Sequence, residues 1–193
     1  MIILSILFFV TALIYSSVGF GGGSTYLAIL LIWGVPYTIF PVIALVCNII
    51  VVSGNSINFL RSKSVNFNLL FPYLIGSIPF AFIGGSIAIE KSLFEILLFC
   101  VLLVAGIFLL IESKSFNKEQ IKINKIPRLI SISFGSIIGF MSGIVGIGGG
   151  IFLSPLLFLM KAGYPRHITS SASLFILINS IFGIAGQLSL IHI

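Results

Sequence analysis

Long apolar runs alternate with short polar segments along this chain. A helix needs about 20 apolar residues to cross the hydrocarbon core of a bilayer. Four runs reach that length, at residues 37–60, 67–89, 92–111 and 168–188. The fourth contains more polar residues than the others but keeps the length of a span. The pattern therefore predicts four full transmembrane helices.

Two further apolar stretches are each interrupted by a glycine-rich segment. Residues 2–33 contain GFGGG at 19–23, and residues 129–160 contain GIGGG at 146–150. The first break leaves arms of roughly 17 and 10 residues, and at about 1.5 Å per residue the shorter arm reaches only half of a bilayer. We expect each broken stretch to enter the membrane and return to the same side, as a re-entrant hairpin.

The composition places this chain in a membrane. Hydrophobic residues make up 59% of the 193 residues and charged residues only 7%, with a mean hydropathy of +1.28. Soluble domains carry about 25% charged residues. The net charge of +6 comes from ten Lys and Arg against four Glu, and these cations lie in short loops between apolar runs. The positive-inside bias explains them, so we expect the lipid bilayer, and no nucleic acid, as a partner.

The basic loops also predict an orientation. Arg61 and Lys63 follow one span, and five cations lie in residues 112–128. Two predicted spans separate these clusters, so both fall on one side, which we expect to be the cytoplasm. A third basic cluster at 161–167 reaches the same side only if residues 129–160 form a re-entrant hairpin.

The two broken stretches resemble each other, which indicates an internal repeat. Each glycine-rich break is followed by a short apolar arm and then by a Gly-x-Pro turn, GVP at 34–36 and GYP at 163–165. A longer helix comes next, with Asn48 in the first half and Asn179 in the second. If both hairpins are re-entrant, the halves have opposite topology, as in many secondary transporters that bind substrate where interrupted helices meet.

The repeat predicts an all-α polytopic membrane fold in three parts. These are a first repeat at residues 1–111, a basic cytoplasmic linker at 112–128, and a partial second repeat at 129–193. The second repeat lacks counterparts of the last two spans of the first. We expect a truncated sequence. The alternative is that another subunit supplies the missing helices, and a homo-oligomer would be compatible with this.

The motifs of the two halves resemble those of one known family. They are GFGGG with GVP, then GIGGG with Leu153-Ser-Pro-Leu156 and GYP, then Thr169-Ser-Ser-Ala-Ser-Leu174, together with Gly76 and Gly84-Gly85. The chain resembles, over nearly its whole length, the sulfite exporter TauE/SafE family of membrane permeases. The resemblance implies a multi-pass inner-membrane transporter with two inverted repeats, which exports sulfite or small organosulfonates. The first half departs from the pattern because residues 39–44 replace the serine-rich stretch.

The glycine triplets are the first candidate substrate-binding residues. Each triplet precedes a short helix, whose first N–H groups lack intrahelical partners and whose positive dipole end attracts anions. Glycine also lets a ligand approach the backbone. The alternative interpretation is a tight turn or close helix packing. The residues are Gly21, Gly22, Gly23, Gly148, Gly149 and Gly150.

Hydroxyl and amide groups near the breaks complete the predicted substrate site. They can donate hydrogen bonds to sulfonate oxygens without placing a permanent charge in lipid. Interhelical hydrogen bonding is the alternative for all of them, and helix capping alone would explain Ser24. The predicted site residues are Ser24, Asn48, Ser170, Ser171, Ser173 and Asn179, and Ser53, Asn55, Thr169 and Gln187 present the same choice.

Several types of chemistry are absent from the sequence. No carboxylate lies deep in a predicted span, so we expect anion export that is uncoupled, or coupled to something other than an intramembrane acid. No nucleotide-binding, zinc-protease or nucleophile-elbow motif occurs, and we expect neither enzyme activity nor a cofactor. Cys47 and Cys100 lie in apolar spans as small hydrophobic residues. The predicted function is export of a small sulfur-containing oxyanion bound between the two breaks. The alternative is a non-transporting subunit of a larger assembly.

Overall fold

The apolar runs fold into helices. The computed structural model describes residues 2–115, 123–124 and 126–191, and within these ranges every regular element is helical. The helices are α1 Ile2–Val18, α2 Gly23–Ile32, α3 Phe40–Arg61, α4 Phe67–Gly85, α5 Lys91–Ser115, α6 Arg128–Val145, α7 Gly150–Leu159 and α8 Pro165–Ile191, with a 3₁₀ turn at Tyr37–Ile39 before α3. The predicted all-α fold is confirmed.

Four of the described helices are long and apolar enough to cross a membrane. They are Tyr37–Arg61, Phe67–Gly85, Arg128–Val145 and Pro165–Ser189. Three of them match predicted spans, and the fourth is the longer arm of the second broken stretch. The predicted span at 92–111 coincides with α5, although several of its side chains lie outside the described part. Residues 116–122 and 125 of the predicted linker also lie outside it.

Both predicted helix breaks lie where the glycine-rich segments occur. Gly22 precedes α2 with φ 83° and ψ 12°, and Gly149 precedes α7 with φ 77° and ψ −16°. Gly19 and Gly146, at the other end of each break, have φ 88° and 85°. These left-handed conformations are costly for residues with a Cβ. Glycine therefore turns the chain sharply between the two arms.

The centre of the fold is a close contact between α4 and α6. Gly135, Gly139 and Gly143 lie one turn apart on α6, and a Cβ on any of them would run into a backbone carbonyl oxygen of α4. Gly76 and Gly84 pack on α6 carbonyl groups in the same way. Small residues let helix backbones approach this closely in membranes. Helix α8 covers the same part of α4, where Gly85 and Gly186 are in close contact.

Three contacts bring the basic segments to one end of the helix bundle. The Asn124 backbone N–H donates to Lys161 O at 3.1 Å, which joins the segment before α6 to the end of α7. His167 Nδ1 lies 2.7 Å from Ser64 O, and Ser170 Oγ donates to the same carbonyl at 2.8 Å. The loop after α3 therefore contacts the start of α8. The re-entrant path through a bilayer and the division into two repeats stay predictions.

Candidate functional site

A partly open cavity of about 380 Å³ lies between the two glycine-rich breaks. One wall is the first break, and the opposite wall is one face of α7. Helices α1 and α8 close the sides. The lining residues are Tyr15, Val18, Phe20, Gly21, Gly22, Gly23, Ser24, Ile147, Ile151, Ser154, Pro155, Phe158, Thr169 and Ile176.

The wall of this cavity is neutral and mostly apolar. None of its fourteen lining residues carries a charge. Its side-chain hydroxyl groups belong to Tyr15, Ser24, Ser154 and Thr169. The Tyr15 hydroxyl is already engaged, because it lies 2.8 Å from Thr25 Oγ1. The polar groups left for a ligand are therefore the other three hydroxyl groups and the backbone of the first break.

The backbone of the first break offers a group of hydrogen-bond donors. Helix α2 begins at Gly23, and its first intrahelical bonds are made by the N–H groups of Thr25 and Tyr26, which donate to Gly22 O at 3.0 and 3.1 Å. Among the described residues, no acceptor is found for the N–H groups of residues 21–24. These four donors stand at the positive end of the α2 dipole, where anions are stabilised.

The glycines of the first break are required by protein packing as well. A Cβ on Gly23 would lie 2.6 Å from Ile147 O, and one on Gly22 would lie 3.0 Å from the Tyr15 ring. Gly21 packs directly on the Asn48 carboxamide. The packing interpretation is therefore supported at all three positions. Because the same three glycines line the cavity, the ligand interpretation stays compatible with it.

The second glycine triplet is placed differently. Gly148, Gly149 and Gly150 are buried under α8 and do not line the cavity. A Cβ on Gly149 would lie 2.9 Å from the Phe175 ring, and Gly150 packs on Ile176. In this structure the second break contributes only Ile147 to the cavity wall. The two triplets are thus alike in backbone turn but unlike in access to the cavity.

The serine-rich stretch of α8 serves mainly as packing. Ser170, Ser171 and Ser173 are fully buried and lie outside the cavity wall. Ser170 Oγ bonds to Ser64 O, and Ser173 Oγ lies 3.4 Å from Ser56 Oγ on α3. These contacts favour the interhelical interpretation for Ser170 and Ser173, whereas Ser171 Oγ has no hydrogen-bond partner among the described residues. Thr169 is the residue of this stretch that lines the cavity.

The two asparagines do not have equivalent surroundings. Asn48 is fully buried beside both breaks, and its Nδ2 donates to Ile147 O at 3.0 Å. Asn179 Nδ2 instead donates to Phe175 O on its own helix, at 2.9 Å. Neither residue lines the cavity. Gly21 and Gly23 of the first break contact Asn48, and so does Gly148 of the second, whereas Gly150 contacts Ile176 and Asn179 is not among the nearest neighbours of any of these glycines.

Sequence reasoning did not identify Tyr15 and Ser154 as wall residues. Ser154 lies on α7 in line with Ile151, Pro155 and Phe158, a spacing of three and four residues that marks one helix face. That spacing was available in the sequence. It could not be interpreted alone, because nothing in it indicated that this face lies opposite the first break.

A second cavity, of about 360 Å³, lies between α5, α6 and α7. Its lining is apolar throughout, and it includes Cys100, Phe134 and Phe152. A cavity without hydrogen-bond donors offers nothing to hold an anion. The cavity between the breaks is therefore the candidate functional site.

Comparison with known proteins agrees with this architecture. The sequence model of one family, described as Sulfite exporter TauE/SafE, matches residues 4–193. The probable membrane transporter protein y4hK of Sinorhizobium fredii is 31% identical over 185 residues, which cover 95% of this chain and 74% of that protein. A probable membrane transporter protein of Methanocaldococcus jannaschii is 30% identical over 197 residues, covering 97% of this chain and 72% of that protein.

A shorter match links the chain to a plant protein. The Sulfite exporter TauE/SafE family protein 5 of Arabidopsis thaliana is 37% identical over 59 residues, which cover 31% of this chain and 13% of that protein. No solved structure matches the chain significantly.

These matches confirm the resemblance that the glycine motifs indicated. Together with the apolar helices, they show a membrane transporter and not an enzyme. The match along almost the entire sequence leads to one assignment. The chain belongs to the sulfite exporter TauE/SafE family of membrane permeases.

Proposed function

We propose that this transporter exports a small sulfur-containing oxyanion, such as sulfite or an organosulfonate, through the cavity between the two breaks. The observation that carries the proposal is the group of four N–H donors without an acceptor at residues 21–24, at the wall of a neutral cavity. A small oxyanion has several acceptor oxygens and fits such a cluster.

The neutral wall suits transport as well as binding. A buried cation would hold an anion strongly, whereas hydrogen bonds and a helix dipole hold it weakly enough to release it. In a cell membrane with a negative interior, the potential favours anion efflux by about 2.3 kcal/mol per charge per 100 mV. Export from the inner membrane therefore needs no acidic residue inside the protein.

The test is efflux from proteoliposomes that hold labelled sulfite or labelled sulfoacetate, with labelled acetate as the reference anion. We expect protein-dependent efflux of at least one sulfur anion, faster than that of acetate and accelerated by an inside-negative potential. Equal rates for all three anions would contradict selectivity for sulfur oxyanions. If the reconstituted chain moves none of them, the hypothesis of a non-transporting subunit is favoured.

A matched pair of glycine variants tests the location. Gly22 and Gly34 both have positive φ, 83° and 69°, so alanine strains the backbone at both, by about 1–2 kcal/mol each. Only Gly22 lines the cavity. A Cβ on Gly22 would also lie 3.0 Å from the Tyr15 ring, whereas one on Gly34 meets no heavy atom within 4 Å, so efflux is compared per amount of folded protein. We expect Gly22→Ala to reduce efflux much more than Gly34→Ala. Equal losses of efflux in the two variants would show that the first break is not part of the substrate site.

A further inference from the structure

One side chain contacts both glycine-rich breaks. Asn48, in the middle of α3, is fully buried, and its Nδ2 donates to Ile147 O in the second break, 99 residues further along the chain. The same nitrogen would lie 2.7 Å from a Cβ on Gly23 and 2.7 Å from one on Gly148. Its Oδ1 packs on Gly21 in the first break. The carboxamide is thus inserted between the two turns.

The hydrogen bond fixes which way the carboxamide points. An oxygen in the place of Nδ2 would face the oxygen of Ile147, so the nitrogen must lie there. The Oδ1 atom consequently faces Gly21, where it is buried and has no hydrogen-bond partner among the described residues. Asn48 is outside the cavity wall, but Ile147, Gly21 and Gly23 all belong to it. Asn48 therefore contacts two parts of the cavity wall, the first break and Ile147, from the side that faces away from the cavity.

We propose that Asn48 is a positioning residue that couples the two breaks, so that an anion bound at the first break also stabilises the second. The coupling to an anion rests on the proposed function, whereas the mechanical connection of the breaks does not. Movement of the first break changes the space around the carboxamide, and the bond to Ile147 transfers that change to the second break. Coupling of this kind requires contiguous packing between two elements, which Asn48 provides.

The first experiment needs no ligand. Amide hydrogen exchange is followed by mass spectrometry in the reconstituted full chain, for peptides that contain residues 19–25 and 146–152. Asn48→Leu removes the donor and leaves a buried carbonyl unpaired, so exchange should accelerate at both breaks by on the order of tenfold. Asn179→Leu is the matched control, because it removes an equally buried amide that bonds only within its own helix. It should leave residues 19–25 unchanged.

The second experiment adds sulfoacetate. In the wild type we expect slower exchange at both breaks, and in Asn48→Leu slower exchange at the first break alone. Protection of the first break alone in the wild type would overturn the coupling while the anion site stands. Protection of neither break would reject the anion site. In that case the ligand-free experiment alone tests whether Asn48 connects the two breaks. Unchanged exchange at residues 19–25 in Asn48→Leu would overturn that connection.

A near-isosteric variant covers the case in which leucine disturbs folding. In Asn48→Asp the protonated carboxyl has one O–H donor for Ile147 O, whereas the ionised carboxylate has none. Exchange at the two breaks should therefore resemble the wild type at low pH, after correction for intrinsic exchange rates, and accelerate at both breaks together as pH rises. Acceleration confined to one break would contradict the coupling.

Discussion

Thr169 shows at the scale of single residues how binding and packing divide the polar groups of α8. It lies beside three buried serines but faces the cavity, while its methyl carbon lies 3.1 Å from the position of a Cβ on Gly19. One methyl group thus contacts the turn of the first break, and the hydroxyl belongs to a wall with few polar groups. Removing that hydroxyl should affect binding more than folding.

We predict that Thr169→Val weakens transport through KM. Valine keeps the shape and removes one hydroxyl, which is worth about 1 kcal/mol, or about fivefold in KM for sulfite. Thr11→Val is the control, because the Thr11 hydroxyl bonds to Leu7 O in its own helix and lies outside the cavity wall. Initial efflux rates at several sulfite concentrations give KM and the maximal rate. An unchanged KM in Thr169→Val would show that this hydroxyl does not contact the anion.

At this scale the sequence predicted residue types better than residue roles. The first triplet and Ser24 line the cavity, and their role in substrate binding stays a prediction. Asn48 and Asn179 were paired because they follow the two Gly-x-Pro turns at similar distances, yet only Asn48 points between the breaks. A difference of two or three residues rotates a side chain to another face of a helix. Sequence spacing between imperfect repeats is too coarse to predict that direction.

Among the elements, α4 and α6 are in close backbone contact along their length. Glycines spaced four apart on α6 face carbonyl groups of α4, and the approach leaves no room for a Cβ. These two helices precede and follow the predicted linker, so this contact joins the predicted halves.

We predict that Gly139→Ala destabilises the protein strongly. Its Cβ would run into backbone atoms of Ser77, which cannot move without shifting a helix, and such overpacking costs about 1–3 kcal/mol or more. Gly54→Ala is the matched control, a glycine inside α3 with no heavy atom within 4 Å of an added Cβ. The midpoint of thermal unfolding in detergent should fall for Gly139→Ala and hold or rise for Gly54→Ala. Equal midpoints would mean that the contact is looser than described.

The helices themselves were largely predictable, but their contacts were not. Apolar length and glycine interruptions predicted the positions of the helices and of both breaks. The predicted span at 67–89 was too long at its end, because α4 ends at Gly85 and the Ser86 hydroxyl bonds back to Phe82 O. The glycines of α6 did not reveal its contact with α4 in the sequence, since a glycine inside an apolar helix can face either lipid or another backbone.

For the molecule as a whole, four basic residues gather at one end of the helix bundle. Arg61 and Lys63 at the end of α3, Lys161 after α7 and Arg166 at the start of α8 are all exposed there. The contacts of Ser64 with α8 and of Asn124 with Lys161 bring these segments together. This grouping agrees with the sequence argument that placed the basic clusters on one side of the membrane.

We predict that this end faces the cytoplasm. In a background of Cys47→Ala and Cys100→Ala, the variants Arg61→Cys and Arg166→Cys should react with a membrane-impermeant maleimide only after cells are permeabilised. Ile87→Cys, beyond the other end of α4, should react in intact cells. Labelling of Arg166→Cys from outside, with Arg61→Cys protected, would contradict the re-entrant path of residues 129–160. The reverse pattern at all three sites would invert the orientation.

The neutral cavity has a consequence for how transport responds to acidity. Its wall holds no carboxyl, imidazole or amine group, so the wall keeps one charge state over the physiological pH range. A weak oxyanion changes its own charge over that range, whereas a sulfonate does not. If both anions are transported, a difference between their pH profiles would therefore report the protonation of the anion and not of the cavity wall.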